Sequence, residues 1–326
     1  MHAPIATEEI ATTSAESDSA IMAVLFRKPG FLLARIDQIA TALYARRQPM
    51  TTLAQSELLL LLGQHGAMPQ ITLARAAGMD KSTVGLVLDN LEARGWIARA
   101  TCAEDRRRAQ VSLTAEGTAA LAGMAADFAE LQRDLLAPLT AEDRDRLLDI
   151  LAGLKANPRS PAPPLAQPAG AQDAPSFLFR RALQHLQAAF AALSPDTRAS
   201  LRQFALLYVL SRRDAITQTG FARLYGLDPS TCAVILRALA KQGWVSAHRS
   251  AADGRERLYR LTDAGRDALA EQQVRADRSQ RAAFPDLGGG DLRLLIGLLR
   301  RIVAAHSHHL RFPGTIPTDL VRRPAR

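Results

Sequence analysis

Asp80-Lys-Ser-Thr-Val84 recurs as Asp228-Pro-Ser-Thr-Cys232, an offset of 148 residues, and this repetition decides the organisation of the chain. An offset that holds over about 40 residues without insertion or deletion indicates a duplicated domain. The same offset relates five further pairs of motifs: Ala74-Arg75 and Ala222-Arg223, Gly78 and Gly226, Gly95-Trp96 and Gly243-Trp244, Asp105-x-Arg107 and Asp253-x-Arg255, and Leu113-Thr-x-x-Gly117 and Leu261-Thr-x-x-Gly265. We call the two halves the first copy and the second copy.

Length and composition allow one core for each copy. The chain has 326 residues, of which 48% are hydrophobic. The segment between the copies contains six prolines and few large apolar residues, a composition typical of a semi-extended tether. The predicted domains are residues 27–156 and 176–312, with a linker at 157–175, a flexible N-terminal tail at 1–26 and a C-terminal tail at 313–326.

Helix-capping signals divide both copies into the same series of elements. Thr52-x-x-Gln55 and Ser200-x-x-Gln203 are capping boxes before apolar runs, and Asp80 and Asp228 are N-cap residues of a later helix. A glycine two residues before each aspartate ends the preceding helix. Two short strands with a polar, Arg-rich connection follow. The predicted order is four helices, a hairpin and two helices, which is a mainly α fold with small β-hairpins (α+β).

Two short helices joined by a glycine turn, followed by an arginine-bearing hairpin, are typical of the winged helix-turn-helix. In that fold the second helix enters the DNA major groove and the hairpin forms the wing. The first turns of this recognition helix are expected to contact phosphates or base edges. The candidate contacts there are Lys81, Ser82 and Thr83 in the first copy and Ser230, Thr231 and Arg237 in the second.

The wings carry arginines, whose guanidinium groups bind phosphates and narrow minor grooves. The wing candidates are Arg106, Arg107 and Arg108 in the first copy and Arg255 and Arg257 in the second. Asp105 and Asp253 precede these arginines. We expect each carboxylate to pair with arginine or with loop amides and so to fix the shape of the wing.

The overall charge favours a partner that carries phosphate. Lys and Arg number 41 against 32 Asp and Glu, which gives a formal net charge of +9 and a pI near 10.3. Cys102 and Cys232 are too few for a disulfide framework, and each is interpreted as a small apolar filler. The first 26 residues lack the basic start of a signal peptide, and the longest aliphatic run, 58–62, is far shorter than a membrane span of ~20 residues. We therefore expect a cytoplasmic protein.

An enzyme or a metal-binding protein is a rival interpretation of the sequence. The sequence has no Gly-rich phosphate loop, no metal-ligand spacing of His, Cys and carboxylates, and no nucleophile elbow. His306, His308 and His309 lie close together without a carboxylate or Cys cluster to complete a site. We predict no enzymatic activity, no cofactor and no metal.

Four motifs of the first copy resemble those of MarR-type regulators: Asp80-Lys-Ser-Thr-Val, Leu91-Glu-Ala-Arg-Gly95, Asp105-Arg-Arg107 and Leu113-Thr-x-x-Gly117. The resemblance extends over nearly the whole of each copy. Where many members have a polar residue and Arg after Ser-Thr-Val, this chain has Gly85-Leu86 and, in the second copy, Ala233-Val234. The resemblance implies a dimerisation region built from the first and last helices, ligand-responsive repression and a near-palindromic DNA site.

MarR-type regulators act as homodimers, so the fusion suggests that one chain supplies both halves of a pseudo-dimer. Because the two recognition helices differ, such a pseudo-dimer prefers an operator with unequal halves. A tether of about 20 residues spans up to ~60 Å, more than the ~34 to 36 Å between successive half-sites. A homodimer of two chains with four wings is equally compatible with the sequence.

The resemblance also implies a small aromatic or phenolic effector. A pocket is expected where the opening helices meet the DNA-binding lobe. The candidates by position are Arg35, Tyr44, Arg47 and His65 in the first copy and His185, Phe204 and Tyr208 in the second. Ordinary packing is an equally good interpretation of each.

The functional hypothesis is a DNA-binding transcriptional regulator, a ligand-responsive repressor with two winged helix-turn-helix domains. The alternative is a winged-helix scaffold that binds protein, in which one or both copies no longer read DNA. The triple arginine of the first wing favours DNA. The altered recognition helices keep the alternative open, above all for the second copy.

Overall fold

The fold comes from a computed structural model, which describes residues 18–101, 109–155, 174–193, 199–249 and 256–321. Helix α1 covers residues 18–25. The first copy contains α2 (Pro29–Arg47), α3 (Leu53–His65), β1 (Met68–Pro69), α4 (Gln70–Ala77), α5 (Lys81–Ala93), β2 (Ile97–Thr101), β3 (Ala109–Leu113), α6 (Ala115–Leu136) and α7 (Ala141–Lys155). The second copy contains α8 (Pro175–Ala192), α9 (Leu201–Ser211), β4 (Ile216–Thr217), α10 (Gln218–Tyr225), α11 (Pro229–Lys241), β5 (Val245–Arg249), β6 (Arg257–Leu261), α12 (Asp263–Ala283), α13 (Gly289–His306) and a 3-10 turn (Ser307–His309), before α14 (Thr318–Val321).

The predicted capping boxes begin α3 and α9. The Thr52 hydroxyl accepts the Gln55 amide at 3.2 Å, while the Gln55 side chain accepts the Thr52 amide at 2.9 Å. Ser200 and Gln203 make the same pair of bonds at 3.2 and 2.9 Å. Two otherwise unpaired amides are satisfied at each helix start. These predictions are confirmed.

The turn of each helix-turn-helix depends on a glycine in the left-handed region. Gly78 ends α4 with φ 68°, and Gly226 ends α10 with φ 78°. A side chain with a Cβ rarely adopts this conformation. Asp80 and Asp228 then cap α5 and α11, as predicted, and Pro229 occupies the first turn of α11.

Each hairpin is part of a three-stranded antiparallel sheet. The strand orders are β1-β3-β2 and β4-β6-β5, and Ile97 pairs with Leu113 as Val245 pairs with Leu261. The hairpins are therefore confirmed. The third strands, β1 and β4, were not predicted, because two residues are too short to show an alternating pattern.

Equivalent residues form the core of both winged helices. Val84 of α5 and Cys232 of α11 are fully buried and stand at equivalent positions. The surrounding core is aliphatic and aromatic. In the first copy it includes Leu58, Leu59, Leu61, Leu73, Leu88, Leu91 and Val111, and in the second Leu206, Leu207, Val209, Phe221, Leu236 and Leu239.

The chain forms two compact units, each with residues from both copies. Unit 1 consists of Met1–Leu32 and Leu186–Arg326, and unit 2 is Leu33–His185. Unit 2 thus contains the winged helix of the first copy with the start of α8, and unit 1 contains the winged helix of the second copy with the start of α2. Edge-on ring contacts mark both combinations: Phe128 with Phe177 in unit 2, and Phe31 with Tyr225 in unit 1.

The opening helices α2 and α8 are equivalent at an offset of 146, two less than the rest of the repeat. Pro29-Gly-Phe-Leu-Leu-Ala-Arg-Ile-Asp-Gln38 aligns with Pro175-Ser-Phe-Leu-Phe-Arg-Arg-Ala-Leu-Gln184. The buried positions between Leu33 and Tyr44 coincide at this offset with those between Phe179 and Phe190, except that Leu43 is buried and Ala189 is half-buried. Corresponding residues in the two opening helices can therefore be compared one by one.

The structure differs from the predicted tails. Within the predicted N-terminal tail, α1 buries Ile21, Met22 and Leu25, which share one helix face. Within the predicted C-terminal tail, the amide of Thr315 donates to the carbonyl of Leu224 at 3.0 Å. Both segments belong to unit 1. None of the described helices is long and apolar enough to cross a membrane.

Candidate nucleic-acid interface

The first turn of α5 is organised by Asp80. Its carboxylate accepts the amide of Thr83 at 2.9 Å, the hydroxyl of Thr83 at 2.5 Å and the hydroxyl of Ser82. The bonds from Ser82 and Thr83 lower the pKa of Asp80 to about 2, so the cap is charged at neutral pH. Lys81, Ser82 and Thr83 are all exposed. The three contact residues predicted on the recognition helix of the first copy therefore lie together at an accessible helix start.

Asp228 organises α11 in a similar way. The amide and hydroxyl of Ser230 donate to its Oδ1 at 2.8 and 2.5 Å, and these bonds lower the pKa of Asp228. Ser230 is exposed and Thr231 is half-buried. Arg237 is exposed two turns further along, where its Nε donates to the Ala233 carbonyl of the same helix at 3.2 Å.

A row of exposed side chains runs along the outer face of each recognition helix, and we call these rows the groove stripes. They occupy equivalent positions at helical spacing. The stripe of α5 is Ser82, Leu86, Asp89 and Ala93, and the stripe of α11 is Ser230, Val234, Arg237 and Lys241. Leu86 is 67% exposed and Val234 59% exposed. Sequence reasoning did not name these two apolar residues as candidate contacts, although an apolar residue on the polar face of an amphipathic helix is a signal.

Arg99 of β2 braces the recognition helix of the first copy. Its Nη2 lies 2.7 Å from Asp89 Oδ1, and its Nη1 lies 3.2 Å from Glu92 Oε2. The equivalent positions in the second copy are Ala247, Arg237 and Ala240, which have no carboxylate to pair. The brace neutralises acidic groups on α5, whereas α11 presents basic groups on the same face.

The wing residues are described in part. Asp105, Arg106, Arg107, Arg108, Asp253 and Arg255, like Cys102, lie outside the described residues. Arg257 begins β6, is exposed and stands opposite the exposed Arg249 of β5. Two like charges opposite each other on a hairpin are unfavourable without an anion. Arg249 therefore joins the candidate contacts. It is identified by the strand register, which pairs it with Arg257.

One glycine in each copy allows the first strand of the wing to approach the following helix closely. A methyl group at Gly117 would lie 1.8 Å from the carbonyl oxygen of Trp96, and one at Gly265 would lie 2.0 Å from that of Trp244. The amides of Thr114 and Thr262 donate to these same carbonyls at 3.1 Å. The glycine of each Leu-Thr-x-x-Gly motif is thus required by a close backbone approach.

The residues predicted for a ligand pocket in the first copy lie in several environments. Arg35 and Tyr44 are buried, and the Tyr44 hydroxyl is 2.5 Å from the Ser56 hydroxyl. Arg47 forms an ion pair with Asp134, and His65 is half-buried at the end of α3.

In the second copy, His185, Phe204 and Tyr208 are all buried. Burial, reinforced by Arg181, lowers the pKa of His185, which favours its neutral form. The guanidinium of Arg212 lies 5.4 Å from the ring centre of Tyr208. The pocket assignment stays a prediction for all seven residues.

Unit 2 also contains an open, largely apolar groove of about 890 Å³ between α3, β3 and α6. Leu60, Leu121, Phe128 and Gln132 contribute to its lining. The lining does not include Arg35, Tyr44, Arg47 or His65. An effector in this groove would therefore contact different side chains from those predicted.

Cys232 is buried in α11, and burial raises the pKa of its thiol to about 11. At neutral pH it is a neutral, inaccessible thiol in the place that Val84 occupies in the first copy. Among the described residues, no group of three or more His, Cys, Asp or Glu side chains is arranged to hold a metal ion.

Comparison with known proteins finds a MarR-like region in each copy. The MarR family model matches the chain twice, over residues 51–109 and 199–256. A probable transcriptional regulator from Pseudomonas aeruginosa is 37% identical, and the match covers 38% of this chain and 95% of that chain with a TM-score of 0.36. The corresponding values are 24%, 42%, 97% and 0.38 for Bordetella bronchiseptica BpsR, whose DNA binding is described as regulated by 6-hydroxynicotinic acid.

A third solved structure is the PcaV transcriptional regulator from Streptomyces coelicolor in complex with its natural ligand. It is 26% identical, with 43% of this chain and 98% of that chain covered and a TM-score of 0.39. Each of these proteins is covered almost completely by less than half of this chain. Because the MarR family model matches twice, and the starts of the two matches differ by the 148 residues of the internal repeat, the chain carries two MarR-like domains in tandem.

Proposed function

We propose that this chain is a DNA-binding transcriptional regulator that inserts α5 and α11 into the major groove. The observation that carries the proposal is the pair of exposed recognition helices, each preceded by a left-handed glycine and an aspartate cap and followed by a hairpin. The two matches to the MarR family model support the same function. A partner rich in phosphate also suits the net charge of +9.

The proposed DNA contacts combine the predicted residues with those that the structure adds. Hydroxyls of Ser82 and Ser230 donate to the caps, and their oxygen lone pairs accept amino groups of bases. Leu86 and Val234 suit the methyl group of thymine. The remaining contacts are to phosphates or guanines, from Lys81, Thr83, Arg106, Arg107 and Arg108 in the first copy and Thr231, Arg237, Arg249, Arg255 and Arg257 in the second.

The proposed site is a near-palindromic operator with unequal halves. The stripe of α5 carries Asp89, whereas that of α11 carries Arg237 and Lys241. Two helices with such different side chains favour different base sequences. One chain bound as a pseudo-dimer places one recognition helix in each of two half-sites. A homodimer of two chains has four recognition helices and would cover four half-sites.

We also propose that a small aromatic or phenolic effector regulates DNA binding and that the chain acts as a repressor. The two matches to the MarR family model support this part of the proposal. The effector has to bind the DNA-free form more tightly than the DNA-bound form, because a ligand with equal affinity for both shifts nothing.

The testing experiment is a titration of the purified protein onto duplex DNA from upstream of its own gene. The DNA is labelled, nonspecific competitor is in excess, and two salt concentrations are compared with the stoichiometry measured. Saturable, salt-sensitive binding at one chain per site is expected. Replacing both Lys81 and Arg237 by alanine should reduce the salt slope by about 2, one for each phosphate contact.

The matched control is Arg133→Ala. Arg133 is an exposed arginine on α6 that pairs with Glu130, outside both recognition helices, so binding should not change. Two chains per site would replace the pseudo-dimer by a homodimer. Binding with no preference over competitor would reject the regulator and favour a protein-binding scaffold.

A further inference from the structure

A buried ion cluster joins the two copies within unit 2. Arg180 of α8 lies 3.0 Å from Asp37 of α2 and forms an ion pair with Glu57 of α3. The hydroxyl of Ser176, also on α8, donates to Glu57 at 3.4 Å. Two side chains of the second copy therefore contact two carboxylates of the first.

The cluster is removed from water. The side chain of Glu57 is 0% exposed and that of Arg180 only 11%. Burial raises the pKa of Glu57, and Arg180 opposes this shift. A buried charge that loses its partner is strongly unfavourable, whereas a pair replaced by apolar residues is often tolerated. The stability of unit 2 therefore depends on whether the helix packed against Glu57 carries a cation.

The reciprocal positions hold no such charges. The counterpart of Arg180 is Ala34, and the counterparts of Glu57 and Asp37 are Ala205 and Leu183. Ser176 corresponds to Gly30, whose Cβ position in unit 1 faces the side chains of Leu201 and Leu186 at 3.2 and 3.9 Å. The first copy supplies two carboxylates without the arginine, and the second copy supplies the arginine without the carboxylates.

A second contact, in unit 1, shows the same asymmetry. Lys28 lies 2.8 Å from Asp277 of α12. Its reciprocal positions are Ala174 and Ala129, which both line the apolar groove of unit 2. This pair is partly exposed and contributes little stability. It nevertheless places opposite charges on opposite copies, independently of Arg180.

Pairing of like copies would break both contacts. Two first copies would bury Glu57 opposite Ala34, with no cation supplied by the partner. Two second copies would bury Arg180 opposite Ala205 and Leu183. When a first copy pairs with a second copy, Glu57 and Asp37 have Arg180 as their partner, and Asp277 has Lys28. Unpaired buried charges of this kind are an established means of rejecting wrong partners.

We propose that Arg180, Glu57 and Asp37 select the partner of each copy, so that a first copy pairs with a second copy and like copies are rejected. This inference concerns the association of the copies and does not depend on DNA binding. It gives the opening helices a partner of stated chemistry: an arginine-bearing α8 for the first copy, and a helix with glycine and alanine at these positions for the second.

The test uses two full-length charge-reversal variants, Glu57→Lys and Arg180→Glu. Each alone places like charges in the buried cluster and should reduce the folding equilibrium constant roughly 10²- to 10³-fold. Co-expressed, they restore opposite charges when the first copy of one chain meets the second copy of the other. We expect a species with one chain of each kind, identified by two affinity tags and light scattering, with the thermal midpoint restored toward the wild-type value.

The matched control is the ion pair of Arg47 and Asp134, which both lie in the first copy. Co-expression of Arg47→Glu with Asp134→Lys should give no mixed species, because exchange between chains cannot bring the restored charges together. If co-expressed Glu57→Lys and Arg180→Glu gave no mixed species, and each chain kept the thermal midpoint that it has alone, the proposal would be overturned.

A third variant remains informative if the reversals fold poorly. Glu57→Ala combined with Arg180→Ala copies the residues of the reciprocal contact and should fold. It removes the penalty on like copies, so light scattering should detect assemblies with more chains than the wild type at the same concentration. An unchanged mass distribution would contradict selection by this cluster.

Discussion

The groove stripes of α5 and α11 stand on the same backbone frame and carry different chemistry. The third residue of the α5 stripe is Asp89, which pairs with Arg99, and the equivalent residue of the α11 stripe is Arg237. At this position the first copy therefore has a carboxylate paired with arginine, whereas the second copy has an exposed guanidinium group. The duplication has kept the residues that shape the backbone and the serine that begins each stripe, and it has changed the other three positions of the stripe.

The largest expected effect tests whether the frames are equivalent. Gly117→Ala and Gly265→Ala each force a methyl group against a tryptophan carbonyl, so each should reduce the free energy of unfolding by about 3 kcal/mol. Thermal unfolding measures the loss. Gly123→Ala, on the same helix α6 with nothing within 4 Å of its added Cβ, is the control and should not destabilise the protein. A tolerated Gly265→Ala with an intolerant Gly117→Ala would show that the frames differ.

The next effect concerns the charged position of the stripes. Arg237→Ala should weaken operator binding by about 1 to 3 kcal/mol and lower the salt slope by about 1, as for loss of a DNA contact by arginine. Asp89→Ala at the equivalent position removes a negative charge and should not weaken binding. Fluorescence anisotropy over a salt series gives both quantities. Equal losses from the two variants would erase the contrast between α5 and α11.

Acid unfolding tests the aspartate cap of the first copy. Asp80 accepts two hydroxyls and an amide, and its pKa in the folded protein is about 2 against an ordinary value of 3.8. Because the folded pKa is the lower one, the cap stabilises the fold fully above about pH 4 and less as the pH falls toward 2. Asp80→Ala should cost about 1 kcal/mol at pH 7 and flatten this dependence. If the free energy of unfolding of Asp80→Ala fell between about pH 4 and pH 2 as steeply as that of the wild type, Asp80 would not be the source of this pH dependence.

The smallest effect is assigned to the apolar residues of the stripes. Leu86→Ala and Val234→Ala should weaken binding by about 0.8 kcal/mol or somewhat more, through lost contact with thymine methyl groups. The salt slope should stay constant because no charge changes. Replacing thymine by uracil at the contacted position should have no further effect in the variant. A full additional loss with uracil would assign the contact to another residue.

The sequence was most informative where a local rule sets the backbone. Thr52 and Ser200 as capping residues, Gly78 and Gly226 as helix ends, and the hairpins all follow from short-range chemistry. The tandem MarR-like fold was therefore predictable.

Long-range packing was harder to predict. The combination of one copy's opening helix with the other copy's winged helix depends on contacts such as Arg180 with Glu57, 123 residues apart. Two-residue strands and the burial of Ile21 in α1 likewise depend on what lies opposite in the fold. The exposure of Leu86 becomes visible only when the inner face of α5 is known.

The buried thiol of Cys232 makes the second copy chemically distinguishable from the first. A thiol reagent reacts only when α11 leaves its core, so in a Cys102→Ser background the modification rate measures the opening of a single winged helix. Operator DNA should slow that reaction when it holds α11 in place. The modification rate of Cys232 therefore reports how often the winged helix of the second copy opens.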